Sequence, residues 1–306
     1  MRLIPGYVKN YIKFLDKRVF SIVFLLLAIM VFVNYSYGIE HNIFSLENRL
    51  LRFFGFFFLF TFTFCSVYLI TFLIKKESPP FKTFFYLLLL ICPALFAAKM
   101  TINAVPNFLS DVLSYPVFQY WRLVLHWPIK AVLMLLAIIA LWKWGKYDEP
   151  VSGMSVKTGN QLSYILLLAC MLPLLALTVM DAGFHEMYPR VKNIYFIDIV
   201  VTNPWGYRLL YELAYGSDFF TIELFFRGFL VLAFTRYAGK DAILPMAAFY
   251  CTIHFGKPLP ECITSFFGGL ILGAIVYNTR SIWGGLIVHL GIAWAMELLF
   301  ILNFKF

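Results

Sequence analysis

Nine apolar runs, separated by short polar or charged connectors, set the pattern of the chain. They cover 19–37, 51–74, 84–98, 129–144, 162–180, 218–234, 242–255, 262–278 and 282–302. A hydrocarbon core about 30 Å thick takes a helix of about 20 mainly apolar residues, and most of these runs approach or exceed that length. None shows the period-two alternation of membrane barrel strands. A backbone in lipid must also satisfy its own hydrogen bonds. The expected fold is therefore all-α, a polytopic transmembrane helix bundle of about eight to nine spans.

The connectors divide the chain further. The stretch 101–127 carries Pro106, Asp111, Pro116 and Arg122 and runs into Pro128, which predicts an interfacial or re-entrant segment. The polar connector 146–161, with Pro150 and Gly153, separates an N-terminal transmembrane region, 1–160, from a second region, 161–306. The longest polar loop is 181–208, and 205–215 reads as an amphipathic helix leading into the sixth span. Basic residues precede the run 19–37, as in a signal peptide. That run is long, however, and no small-residue cleavage site follows it, so it is expected to stay as the first span.

Composition agrees with the pattern. Of 306 residues, 62% are hydrophobic and 13% charged, against about 45–50% and about 25% in soluble domains. The net charge of +9 would suggest nucleic acid in a soluble protein. Here the basic residues lie mostly between apolar runs, where they set topology and meet lipid headgroups. No nucleic-acid partner is expected. The expected location is the cell membrane, as a multi-pass protein, and specifically a bacterial inner membrane. The charge bias, with the N-terminus inside, is modest. The five cysteines lie in or beside apolar runs without a CxxC pair, which fits small apolar packers rather than disulfides or thiolate zinc.

The chemistry concentrates in the second half. An ionisable residue inside a span is costly and marks a functional site by default. Glu223 and Arg227 are four residues apart, on one helix face, where they can pair. An ion pair that only fixes packing explains that spacing equally well. His254 ends its run and Glu223 begins the one before it, so antiparallel spans bring both toward one side of the membrane. His289 lies several residues into the last run, after Gly284 and Gly285. A carboxylate and an imidazole around one water can perform general-base hydrolysis, and a second histidine can donate to an oxyanion. The same two histidines and one glutamate are also a possible zinc set, although no HExxH is present.

Three stretches carry a family resemblance: Ile222-Glu223-Leu224-Phe225-Phe226-Arg227, Tyr250 with His254, and His289 with Ala293. In this order, on successive spans, they resemble the EExxxR, FxxxH and HxxxN motifs of the CPBP family, the CAAX-processing and bacteriocin-processing intramembrane endopeptidases. The resemblance covers 218–299. It implies a glutamate-dependent peptidase without a metal cofactor, acting on a membrane-associated and possibly prenylated, CAAX-like peptide. It assigns catalysis to Glu223, His254 and His289, with Arg227 and Tyr250 in support.

The chain departs from the motifs at three positions. Ile222 replaces the first glutamate, Tyr250 replaces the phenylalanine, and Ala293 replaces the asparagine. Glu297, two turns beyond His289, is a candidate to supply the missing polarity, with Asp218 and Glu212 behind it. A second reading follows from Ile222 and Ala293: a catalytically impaired relative that binds a membrane partner in immunity or export. A transporter fits less well, because the ionisable residues cluster in one half and no internal repeat is visible. The expected partners are membrane lipid and a membrane-associated peptide or protein substrate; the sequence leaves the oligomeric state open.

Overall fold

Local signals delimit the long helices. Asp16 accepts hydrogen bonds from the backbone N–H groups of Arg18 and Val19 at 2.8 and 3.1 Å, which caps the helix that follows. Asn48 does the same for Leu50 and Leu51 at 2.8 and 3.2 Å. Between these caps the side chains are almost all apolar, so both helices continue until a left-handed residue, Gly38 or Lys76, turns the chain.

The computed structural model describes residues 4–77, 82–105, 109–155 and 161–303. In chain order the helices are α1 (Ile4–Phe14), α2 (Lys17–Tyr37), α3 (Ile39–Phe44), α4 (Arg49–Lys75), α5 (Thr83–Thr101), α6 (Leu109–Val112) and α7 (Tyr115–Trp144). They continue as α8 (Gln161–Thr178), α9 (Ala182–Met187), α10 (Trp205–Ile222), α11 (Thr235–Ala238), α12 (Ile243–Thr252), α13 (Leu259–Thr279) and α14 (Trp283–Asn303). Between α10 and α11 the segment Glu223–Ala233 is π-helical. No strand occurs among the described residues, and a single isolated bridge joins Met154 to Ser281.

Seven described helices are long and apolar enough to cross a membrane: α2, α4, α5, α7, α8, α13 and α14. The fold is a helical membrane bundle, as the apolar runs predict. The two other expected crossings fall on shorter pieces. The run 218–234 is divided between the end of α10 and the π-helical segment, and 242–255 contains α12, which is ten residues long. Of the segment expected to be interfacial or re-entrant, 115–127 is continuous with the span that follows. Pro128 is accommodated inside α7.

The helices form two compact units. The first comprises Met1–Ile102, Ile138–Lys157 and Leu224–Ile282; the second comprises Asn103–Ala137, Thr158–Glu223 and Trp283–Phe306. Each draws on both sides of residue 160.

The first unit is built on aromatic packing. Phe60 of α4 lies 5.0 Å from Phe249 of α12, and Phe96 of α5 lies 5.1 Å from Phe226, centroid to centroid. Lipid tails are as apolar as these rings, so helix association here depends on close packing more than on exclusion of water. Offset and edge-on ring pairs provide it. The connector around Gly153 also belongs to this unit: Ile282 N–H donates to the Gly153 carbonyl at 3.0 Å, and Ser281 Oγ donates to the Ser155 carbonyl at 3.1 Å. Lys75 at the end of α4 bonds Asp241 at 2.6 Å.

The second unit has two apolar centres. Tyr120 and Val124 of α7 pack with Val191, Ile194 and Tyr211. Leu175 of α8 and Phe184 of α9 pack with Met296 and Phe300 of α14.

Candidate functional site

In the second unit, α10 ends at Ile222 and the π-helical segment opens at Glu223. π-Helical turns are rare and are frequently found at functional sites. The Glu223 side chain has no solvent exposure, and His289 of α14 has 16%. His289 Nδ1 lies 2.9 Å from Glu223 Oε1. Phe219, one turn earlier on α10, meets the His289 ring edge-on at 4.9 Å and restricts its rotation.

Gly285 provides the room for this pair. A Cβ at that position would lie 2.6 Å from Glu223 Oε2. The carboxylate therefore occupies space that any other residue type would fill. Ile222 and Ala293, at the positions where the related motifs carry glutamate and asparagine, are both buried.

In the first unit, Arg227, Tyr250 and His254 form a stack. The Arg227 guanidinium is 1% exposed and lies 3.8 Å from the centroid of the Tyr250 ring. A desolvated cation over a tyrosine face is worth about 2 kcal/mol. Tyr250 meets the His254 ring edge-on at 4.5 Å. The His254 Nδ1 atom lies 2.8 Å from the Tyr250 carbonyl. A carbonyl only accepts, so Nδ1 carries the proton and the neutral ring's basic site is Nε2.

Two chain segments far from the motifs complete the surroundings of His254. Asn34, buried in the last turn of α2, donates from Nδ2 to the Phe255 carbonyl at 3.0 Å. Its Oδ1 accepts from the Glu40 N–H at 2.9 Å. The Tyr35 hydroxyl donates to the Lys257 carbonyl at 2.5 Å. The Glu40 carboxylate lies against Gly256, where a Cβ would come within 2.7 Å of it. Burial pushes the Glu40 carboxyl above the ordinary carboxylate range, opposed by the neighbouring His41. Motif reading passes over these residues; the one signal for them is a polar residue, Asn34, inside an otherwise apolar run.

The expected supporting carboxylates have their own surroundings in the second unit. Glu297 is buried and accepts from the Arg190 N–H at 2.8 Å to each oxygen, and from the Val191 N–H at 3.3 Å. It thus caps the turn of 3-10 helix Arg190–Ile199. Glu212 of α10 lies near Glu297, and burial together with that second carboxylate pushes its pKa up to about 8. Asp218 lies in the last part of α10. Among the described residues, no group of three or more His, Cys, Asp or Glu side chains is placed to hold a metal ion.

The comparisons with known proteins fall on this part of the chain. Residues 207–295 match the family model described as type II CAAX prenyl endopeptidase, Rce1-like. The match runs from α10 into α14 and includes Glu223, Arg227, Tyr250, His254, His289 and Ala293. Residues 207–295 of this multi-pass membrane protein are therefore similar to that family. No curated protein and no solved structure matches the chain.

Proposed function

We propose that the protein is an intramembrane endopeptidase of the CAAX type, with Glu223, His254 and His289 as its catalytic groups. The observation that carries this reading is the fully buried Glu223 carboxylate at 2.9 Å from His289, inside the Rce1-like stretch. A carboxylate that accepts a hydrogen bond from an imidazole is held in place to act as a general base.

The reaction is amide hydrolysis. The oxygen of a water attacks the scissile carbonyl carbon while Glu223, supported by His289, takes a water proton. The carbonyl π electrons move to oxygen, and the resulting oxyanion is stabilised by hydrogen-bond donors. The C–N bond then breaks, and the proton held by the carboxyl passes to the leaving amine. The family motif is what assigns His254 to the reaction; the Tyr250 carbonyl holds its Nδ1, so Nε2 is its basic nitrogen. Arg227 acts through Tyr250, by fixing the ring on which His254 rests.

The substrate in this reading is a membrane-associated peptide carrying a prenylated cysteine near its C-terminus. The prenyl chain would lie in the same lipid that bathes the exposed apolar side chains of the spanning helices. In this reading the membrane is the cell membrane, a bacterial inner membrane.

A second reading rests on buried, apolar Ile222 and Ala293. With one motif glutamate and no asparagine, the protein would bind such a peptide, as an immunity or export component, without cutting it. One experiment separates the two. The full chain, purified in lipid nanodiscs, is given a farnesylated C-terminal peptide, and the released tripeptide is measured by mass spectrometry. The wild type is expected to release it, and Glu223→Ala and His254→Ala to lose about two or more orders of magnitude in rate. Binding without release supports the second reading. Cleavage indifferent to both substitutions removes the proposed residues, and chelator-sensitive cleavage restored by zinc overturns the metal-free route.

A further inference from the structure

We infer that Asn34 is a positioning residue for His254, completing with Tyr35 and Glu40 a clamp that makes the N-terminal helices part of the working site. The inference rests on the peptidase reading and extends it outside the Rce1-like stretch, since all three residues precede residue 207.

His254 sits at the start of a loop, between the end of α12 at Thr252 and the start of α13 at Leu259. Within the loop, His254 N–H bonds the Cys251 carbonyl at 3.0 Å and Lys257 N–H bonds the His254 carbonyl at 3.0 Å. Those bonds shape the loop but do not fix its direction. The next three residues are each met by the end of α2 or by α3. Phe255 presents its carbonyl to Asn34, Gly256 receives the Glu40 carboxylate, and Lys257 presents its carbonyl to Tyr35.

The clamp is itself rigid. Asn34 uses both ends of its amide, one on the loop and one on the Glu40 backbone. The Asn34 carbonyl also receives the Gly38 N–H at 2.7 Å, which closes α2. Val19, Val23 and Leu27 on the buried face of α2 share a core with Cys251, Phe255 and Cys262. The helix is therefore anchored along its length, and its last turn carries that placement to the loop. A buried amide that bonds two backbones can be replaced only by leaving both unsatisfied. Displacement of a catalytic group by about 1 Å costs about 100-fold in rate.

The test measures prenylated-peptide cleavage by the full-length protein in nanodiscs. Asn34→Leu, which keeps the number and branching of side-chain heavy atoms but no polar group, is expected to lower kcat about 10- to 100-fold with KM nearly unchanged, because it displaces a catalytic group rather than a binding surface. In a His254→Ala background the same substitution is expected to lower the residual rate no further, which a general loss of structure would not reproduce. Tyr35→Phe alters an exposed side chain and removes one bond to the loop, so it decides the matter if Asn34→Leu does not fold. Its expected loss in kcat is about twofold to tenfold, the size of one hydrogen bond. Full kcat in Tyr35→Phe, or in folded Asn34→Leu, overturns the clamp while leaving His254-dependent cleavage standing. Absence of His254-dependent cleavage by the wild type removes the peptidase reading and the clamp together.

Discussion

His289 Nδ1 lies 2.9 Å from Oε1 of Glu223, on a side chain fully removed from solvent, and Gly285 stands one turn before that histidine. The glycine is where the pair is most exposed to perturbation. Gly285→Ala places a methyl group 2.6 Å from the other carboxylate oxygen. The expected outcome is a stability loss of about 1–3 kcal/mol from overpacking, together with about a 100-fold loss of rate as the carboxylate moves. Peptide cleavage and thermal unfolding in detergent measure the two effects. Wild-type activity in this variant would mean that the position of Glu223 does not matter to the reaction.

Tyr250 links a buried cation to a histidine. Tyr250→Leu removes the ring beneath Arg227 and the ring edge against His254. Loss of a desolvated cation–π contact predicts a destabilisation of about 2 kcal/mol, read as a lower unfolding midpoint. Tyr250→Phe keeps the ring face and is expected to stay near wild type. Equal losses in both variants would assign the effect to the hydroxyl and exclude the ring.

Glu297 bonds the backbone N–H groups of Arg190 and Val191. Glu297→Gln retains one acceptor oxygen but no charge. It is expected to cost about 1–3 kcal/mol of stability, as charge-assisted bonds weaken. Its effect on kcat is expected to be small, within about threefold, because the cap acts on the 190–191 turn. A large fall in kcat at unchanged stability would return Glu297 to the chemistry.

Glu40 supplies a pH dependence. Its folded-state pKa is raised by burial, so folding favours the protonated form. Its favourable contribution is complete below the ordinary carboxylate pKa of the unfolded chain and is lost as pH rises through the raised folded value. Glu40→Gln cannot ionise and keeps its contribution. Thermal midpoints measured from about pH 4 to about pH 8 should therefore diverge, the variant gaining on the wild type as pH rises. Parallel curves would show that the Glu40 carboxyl is not penalised by its surroundings.

How much of this was legible in the chain differs between elements. The helices α2, α4, α8, α13 and α14 follow directly from apolar runs, because spanning lipid requires length and apolarity, both of which are local. The crossing expected at 218–234 was harder: a run of apolar residues does not distinguish α from π hydrogen bonding, which begins at Glu223. The connector 146–161 reads as a polar boundary, yet residues 153 and 155 dock against 281 and 282, because backbone carbonyls leave no mark in sequence. Glu297 shows the same limit. Its spacing from His289 suggested the same face, but its partners are backbone N–H groups more than a hundred positions away.

By itself the sequence determined that this is an all-helical membrane protein. It also determined that Glu223, His254 and His289 occur in the order of a peptidase family. Composition and the length of the apolar runs are sufficient for the first; the second rests on the resemblance of three short motifs to that family. Only the tertiary structure decided which groups meet. Glu223 and His289 are 66 residues apart, and Asn34 and Phe255 are 221 apart. A hydrogen bond requires atoms within about 3 Å in a given direction. No periodicity in the chain encodes that distance between segments so far apart; packing of one helix against another sets it.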